Sequence, residues 1–171
     1  ALLLSGCGAR EPQEPAETTP PQTAAFTRES KIKDVKNAPM FGSYGRLLFP
    51  VEDAYYSGDT LEDLGLTYYS HIDPDETVEI VNTLRAWAKA GQTIFYDIYT
   101  AEEKAADPAK EDTGLFFFKG TPGEKFAICN AGGAFAYVGA MQDSFPHALE
   151  LSKKGYNAFA LIYRPGAQTA C

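Results

Sequence analysis

Residues 128–139 read ICNAGGAFAYVG, an apolar run that ends in two adjacent glycines fenced by alanines. Glycine has no Cβ and takes positive φ freely, so Gly132 and Gly133 let the backbone turn sharply and approach another strand or a ligand closely. The stretch before them, KFAICN (125–130), has the continuous apolar character of a strand buried in a parallel sheet. After them, SFPHALELSKKG (144–155) reads as a helix. Ser144 or Asp143 caps it, Pro146 fits its first turn, Phe145, Ala148 and Leu149 share one face, and Gly155 ends it. YNAFALIYR (156–164) is a second apolar strand. Strand, glycine turn, helix and strand make a βαβ unit, whose crossover is expected to be right-handed. The fold class is therefore α/β.

Working back along the chain, TIFYDIYT (93–100) alternates as a strand does, and GLFFFKG (114–120) follows after the charged stretch AEEKAADPAKEDTG, expected to be a loop. The two strands read as a hairpin. DPDETVEIVNTLRAWAKAG (73–91) carries the signals of a helix: Asp73 to cap, Pro74 in the first turn, Glu76 three residues on, Gly91 at the end. Val81, Leu84, Trp87 and Ala88 share its apolar face, and both Trp87 and Met141 read as core. Residues 26–72 are irregular and aromatic, with turns at FGSYG (41–45) and YYSGD (55–59), an extended LLFPV (47–51) and one helical turn at TLEDL (60–64). Residues 26–91 thus form an irregular and helical segment ahead of the 92–171 core.

The formal net charge of -8, with no stripe of Lys and Arg, excludes a phosphate backbone as partner. No apolar stretch reaches the 20 residues needed to span a bilayer. Cys7, Cys129 and Cys171 are too scattered for a disulfide framework or a metal knuckle, and neither a metal nor an organic cofactor is implied. The opening ALLLSGCG has the look of the end of a signal peptide. Leu4-Ser5-Gly6-Cys7 resembles the bacterial lipobox, which implies that residues 1–7 are a signal remnant and that Cys7 carries the lipid. Residues 8–25, rich in Pro, Glu, Gln and Thr, then serve as a disordered tether. Two acyl chains anchor stably where one does not, so the expected location is extracytoplasmic, on a bacterial membrane.

The glycine turn lacks GxGxxG, and Arg164 stands where a dinucleotide site would place a carboxylate. No Lys-Ser or Lys-Thr follows the glycines, so a phosphate loop fails too. Packing alone remains one explanation of Gly132 and Gly133. Another is that residues 92–171 resemble the opening of the α/β-hydrolase fold: an antiparallel pair, a strand ending in a glycine turn, a helix and a further strand. In that family the turn supplies backbone N–H groups to an oxyanion hole, as in the HGGG motif of esterases. Ala131-Gly132-Gly133-Ala134-Phe135 resembles that motif, with Cys129-Asn130-Ala131-Gly132-Gly133 similar to the Cys-Pro-Gly-Gly-Gly of bacterial feruloyl and acetyl esterases. The resemblance implies Gly133 and Ala134 as oxyanion donors, Gly132 and Asn130 as turn support, Cys129 as a buried strand end, and Arg164 as structural. It also implies a small or polymer-borne ester as substrate, and that Gly133→Val lowers turnover more than binding.

The family's G-x-S-x-G nucleophile elbow is missing from this chain, since Gly42-Ser43-Tyr44-Gly45 has the wrong spacing. His71 and His147 lie ahead of where a triad belongs, and their expected roles are capping and packing. The expectation is therefore an N-terminal part of an esterase, inactive by itself, with strand 156–164 left at an unpaired apolar edge. The rival is a lipid-anchored binding module using Tyr55-Tyr56 and Tyr68-Tyr69 as an aromatic platform.

Overall fold

The computed structural model describes residues 24–69 and 71–166. Cys7, Cys171 and all but the last two residues of the expected tether lie outside them. Helix α1 (Ile32–Lys36) leads into a 3-10 segment at Pro39–Leu48, then a minimal hairpin of β1 (Tyr56–Ser57) and β2 (Gly65–Leu66). This aperiodic region still supplies core: Phe41, Leu48 and Leu61 are fully buried, and Leu47 and Phe49 nearly so. Two local expectations fail here. LLFPV does not start extended, because Leu47 and Leu48 close the 3-10 segment. TLEDL is not a helical turn, because the Asp63 carboxylate takes hydrogen bonds from both the amide and the hydroxyl of Thr60, each at 2.6 Å, a local bonding pattern that competes with helix.

Helix α2 (Pro74–Lys89) begins and ends where its cap residues place it. The Asp73 carboxylate accepts the amides of Asp75 at 2.9 Å and Glu76 at 3.4 Å, satisfying donors that a helix start leaves open. Gly91 takes φ +75° just past the end. Ile80, Val81 and Leu84 are fully buried, and Trp87 packs edge-on against Phe118.

Four strands form the main sheet: β3 (Phe95–Tyr96), β4 (Gly114–Phe118), β5 (Phe126–Asn130) and β6 (Asn157–Ile162), in the order β3-β4-β6-β5. Helix α3 (Ala101–Ala106) lies between β3 and β4, where a loop is expected, and a Thr100–Glu103 capping box starts it. The expected hairpin is present, with β3 antiparallel to β4, and β4 antiparallel to β6. β5 and β6 run parallel, joined through α4 (Ser144–Lys153).

One sheet face carries Phe116, Phe118, Ala158, Ala160 and Ile162 into a core shared with Ile80, Leu84, Met141, Phe145 and Leu149. On the other face Phe117 stacks on Phe159 at 4.8 Å, and Ile128 is the cross-strand neighbour of Phe159. This corrects two expectations. β5 is not a buried strand: among the described residues it lies at one edge of the sheet, with Phe126 70% and Ile128 55% exposed. Nor is β6 an edge, because β4 and β5 flank it on both sides.

Candidate oxyanion turn

Beyond Asn130, the chain leaves β5 and turns through the two glycines. The Gly132 amide donates to Asp143 Oδ2 at 2.8 Å, and the Tyr69 hydroxyl donates to the same oxygen at 3.0 Å. The Gly132 carbonyl accepts the Gly139 amide at 3.0 Å. Gly133 sits at φ +137°, and a Cβ there would lie 2.1 Å from the Tyr137 carbonyl oxygen, so only glycine fits. Its own carbonyl accepts the Ala136 amide at 2.9 Å. Ala134 and Phe135 follow at φ +54° and +58°, a left-handed pair that costs about 1–2 kcal/mol for each residue with a Cβ.

Among the described residues neither the Gly133 nor the Ala134 amide has a hydrogen-bond acceptor. Gly133 is buried and Ala134 exposed. Buried backbone donors are nearly always paired, so an orphan in a strained turn invites a functional explanation. Successive free amides in a turn form a concavity suited to an anion or to an oxygen gaining negative charge.

Asp143 holds this turn. The sequence suggests it as a cap for α4, and it does occupy the N-cap position, but its side chain makes no capping hydrogen bond there. The carboxylate points back to Gly132 and Tyr69 instead. Burial, then the hydrogen bond to Asp143, pushes the Tyr69 phenol up to about 12. Burial, with Asp143 second, also pushes the Cys129 thiol up, which disfavours the thiolate that nucleophilic chemistry needs. Asn130, expected to support the turn, is exposed and makes no side-chain hydrogen bond among the described residues. His147 is exposed rather than packed, with Nδ1 2.7 Å from the Asp143 carbonyl oxygen. Arg164 pairs with Asp107 at 2.7 Å, tying the end of β6 to the stretch after α3.

Aromatic rings surround the turn. Phe135 sets its ring against Tyr163 at 6.4 Å, and the Tyr163 hydroxyl donates to the Tyr137 carbonyl at 3.3 Å. Tyr137 is buried, donates its hydroxyl to the Thr67 carbonyl, and carries Tyr55 stacked at 4.9 Å and Tyr68 at 6.2 Å. Each tyrosine pair is therefore split: Tyr55 and Tyr68 stack on Tyr137, Tyr56 donates to Asp53 at 2.8 Å, and Tyr69 goes to Asp143. Beside this stack lies a cavity of about 300 Å³ lined by Leu47, Phe49, Tyr55, Tyr137, Val138 and Ile162, among others.

Asp143, Tyr69, Tyr137 and Tyr163 were not singled out from the sequence as residues of the turn. The acidic residue before a helix carried a signal, but capping and reaching back to a glycine amide look the same in one dimension. Among the described residues no serine hydroxyl bonds a histidine and no cluster suits a metal ion. No helix there is long and apolar enough to cross a membrane. Comparison with known proteins finds no matching family model, no matching curated protein and no matching solved structure.

Proposed function

We propose that this chain is the N-terminal part of a serine hydrolase acting on carboxylic esters, held outside the cytoplasm by lipid on Cys7. The observation that carries the reading is the pair of unpaired amides at Gly133 and Ala134, placed at the end of a parallel strand by a turn that Asp143 braces. Such donors hold the carbonyl oxygen of an ester and bind it more tightly as it becomes an oxyanion, which lowers the barrier to attack. The nucleophilic serine and its histidine come from elsewhere in the protein. An antiparallel pair followed by a βαβ unit within one sheet supports the α/β-hydrolase resemblance.

The test uses the product of the complete gene and an edit that removes one N–H with no change of side chain. Replacing the Ala134 amide by an ester linkage should lower kcat by about 10²–10³ with little change in KM. A protein that folds normally and turns over unchanged would return the glycines to a packing role. Anchoring is read separately: Cys7→Ala should move the protein from the detergent phase to the aqueous phase, and a variant that stays membrane-bound sinks the lipid assignment. The second reading, a binding module without catalysis, draws on the exposed ring of Tyr68, 71% accessible and stacked over Tyr137. Absence of any labelling by a fluorophosphonate would favour it.

A further inference from the structure

We propose that the cavity beside the Tyr55–Tyr137 stack binds an uncharged apolar group of about six to eight carbons carried by the ester. This inference rests on the hydrolase reading and names the substrate class of that site. A shallow depression at the turn is lined by Ala134 and Phe135, and it shares Tyr55, Ala136, Pro165 and Glu52 with the deeper cavity. An ester whose carbonyl oxygen meets the Ala134 amide therefore has a continuous path past Ala136 into the space beside Val138 and Ile162.

Volume and charge set what fits. The cavity holds about 300 Å³, at the lower bound for small-molecule sites and roughly twice the ~150 Å³ that accepts benzene. Two of its charged residues are already paired: Asp112 with Arg46 at 2.8 Å, and Arg164 with Asp107 at 2.7 Å. The third, Glu52, is exposed where cavity and depression join, and its carboxylate repels an anion. A neutral chain enters this space; a charged group carried into it is disfavoured. The group belongs either to the acyl side or to the alcohol side of the ester, since both are bonded to the same carbonyl carbon.

Two ester series on the intact protein test this: p-nitrophenyl esters from acetyl to dodecanoyl, and acetates of straight-chain alcohols of matching length. In one series kcat/KM should rise by about fourfold per methylene as the cavity fills, peak near six to eight carbons, then fall; the series that does so identifies the side. Val138→Trp should cut the octanoyl-to-acetyl ratio, or its alcohol counterpart, at least tenfold, and Val138→Ala should move the peak to longer chains. Flat profiles in both series, or a peak that neither variant moves, would overturn the proposal. A catalysis-independent arm measures calorimetric binding of n-octanamide, acetamide and suberic acid monoamide, which carries a carboxylate at the far end of the chain. Octanamide should bind at least tenfold more tightly than either of the others. If octanamide binds and Val138→Trp abolishes it while no ester is hydrolysed, the hydrolase reading fails and the apolar site stands. Suberic acid monoamide binding as tightly as octanamide would sink the neutral-ligand claim.

Discussion

Asp143 and Gly132 are joined by a single hydrogen bond of 2.8 Å, amide to carboxylate, and Tyr69 donates to the same oxygen. From its place at the start of α4, this one carboxylate thus ties a β-strand exit to a loop from the N-terminal region. Removing it with Asp143→Ala should cost about 1–2 kcal/mol, read as a shift in the urea midpoint, because two donors lose a charged acceptor at a site water can reach. Asp143→Asn keeps a carbonyl oxygen there and should cost less than half as much. Equal losses in the two variants would show that the acceptor is not what matters.

Gly133 and Ala134 should respond in opposite directions. A methyl at Gly133 meets the Tyr137 carbonyl at 2.1 Å, so Gly133→Ala is expected to destabilise by more than about 2 kcal/mol. The same collision makes Gly133→Val a test of packing as much as of catalysis, which revises the expectation from sequence. Ala134→Gly relieves a left-handed φ of +54° and should stabilise by up to about 1 kcal/mol. Thermal melts of both variants check the pair.

Stability should decline in strong alkali. Burial, then hydrogen bonds from Tyr69 to Asp143 and from Tyr56 to Asp53, push both phenols up to about 12. The unfolded chain ionises its tyrosines near pH ~10, so the native state binds more protons above that pH. The stabilisation is whole below pH ~10 and is lost as pH rises toward about 12. Tyr69→Phe should flatten that decline in a pH series of chemical denaturation midpoints. An unchanged slope would place the titrating group elsewhere.

The exposed face of β5 should be sticky. Phe126 and Ile128, 70% and 55% exposed, line one side of an edge strand whose outer hydrogen-bonding groups have no partner strand among the described residues, a template for association. A Phe126→Lys, Ile128→Lys double variant of the 171-residue chain should raise its solubility and reduce dye binding to apolar surface. Its unfolding free energy should stay within about 1 kcal/mol. Unchanged aggregation would move the liability to another surface.

Local signals carried much of this fold. Asp73, Pro74 and Gly91 delimit α2 because capping is a contact within one turn, and Gly155 ends α4 for the same reason. Thr100 and Glu103 announce α3 just as plainly, but the charged stretch around them masks the signal. Strand order was not legible: KFAICN and NAFALI are both apolar runs, and which one lies inside depends on β4 pairing with β6 rather than with β5. The brace on the turn was hidden because Tyr69 reaches Asp143 across 74 residues. The sequence marks that tyrosine only as half of the Tyr68-Tyr69 pair, since its partner is set by tertiary packing.

The position of β6 also bears on how the chain assembles during synthesis. β6 is the last of the four strands to leave the ribosome, yet it lies between β4 and β5. Until Ile162 emerges, β5 has no partner among the described strands, and the nascent chain holds the β1–β2 and β3–β4 hairpins and the helices. These four strands are therefore joined by insertion of β6 rather than by growth at the rim. Joining them depends on contacts distant in sequence, a slow step that leaves apolar strands uncovered while translation proceeds.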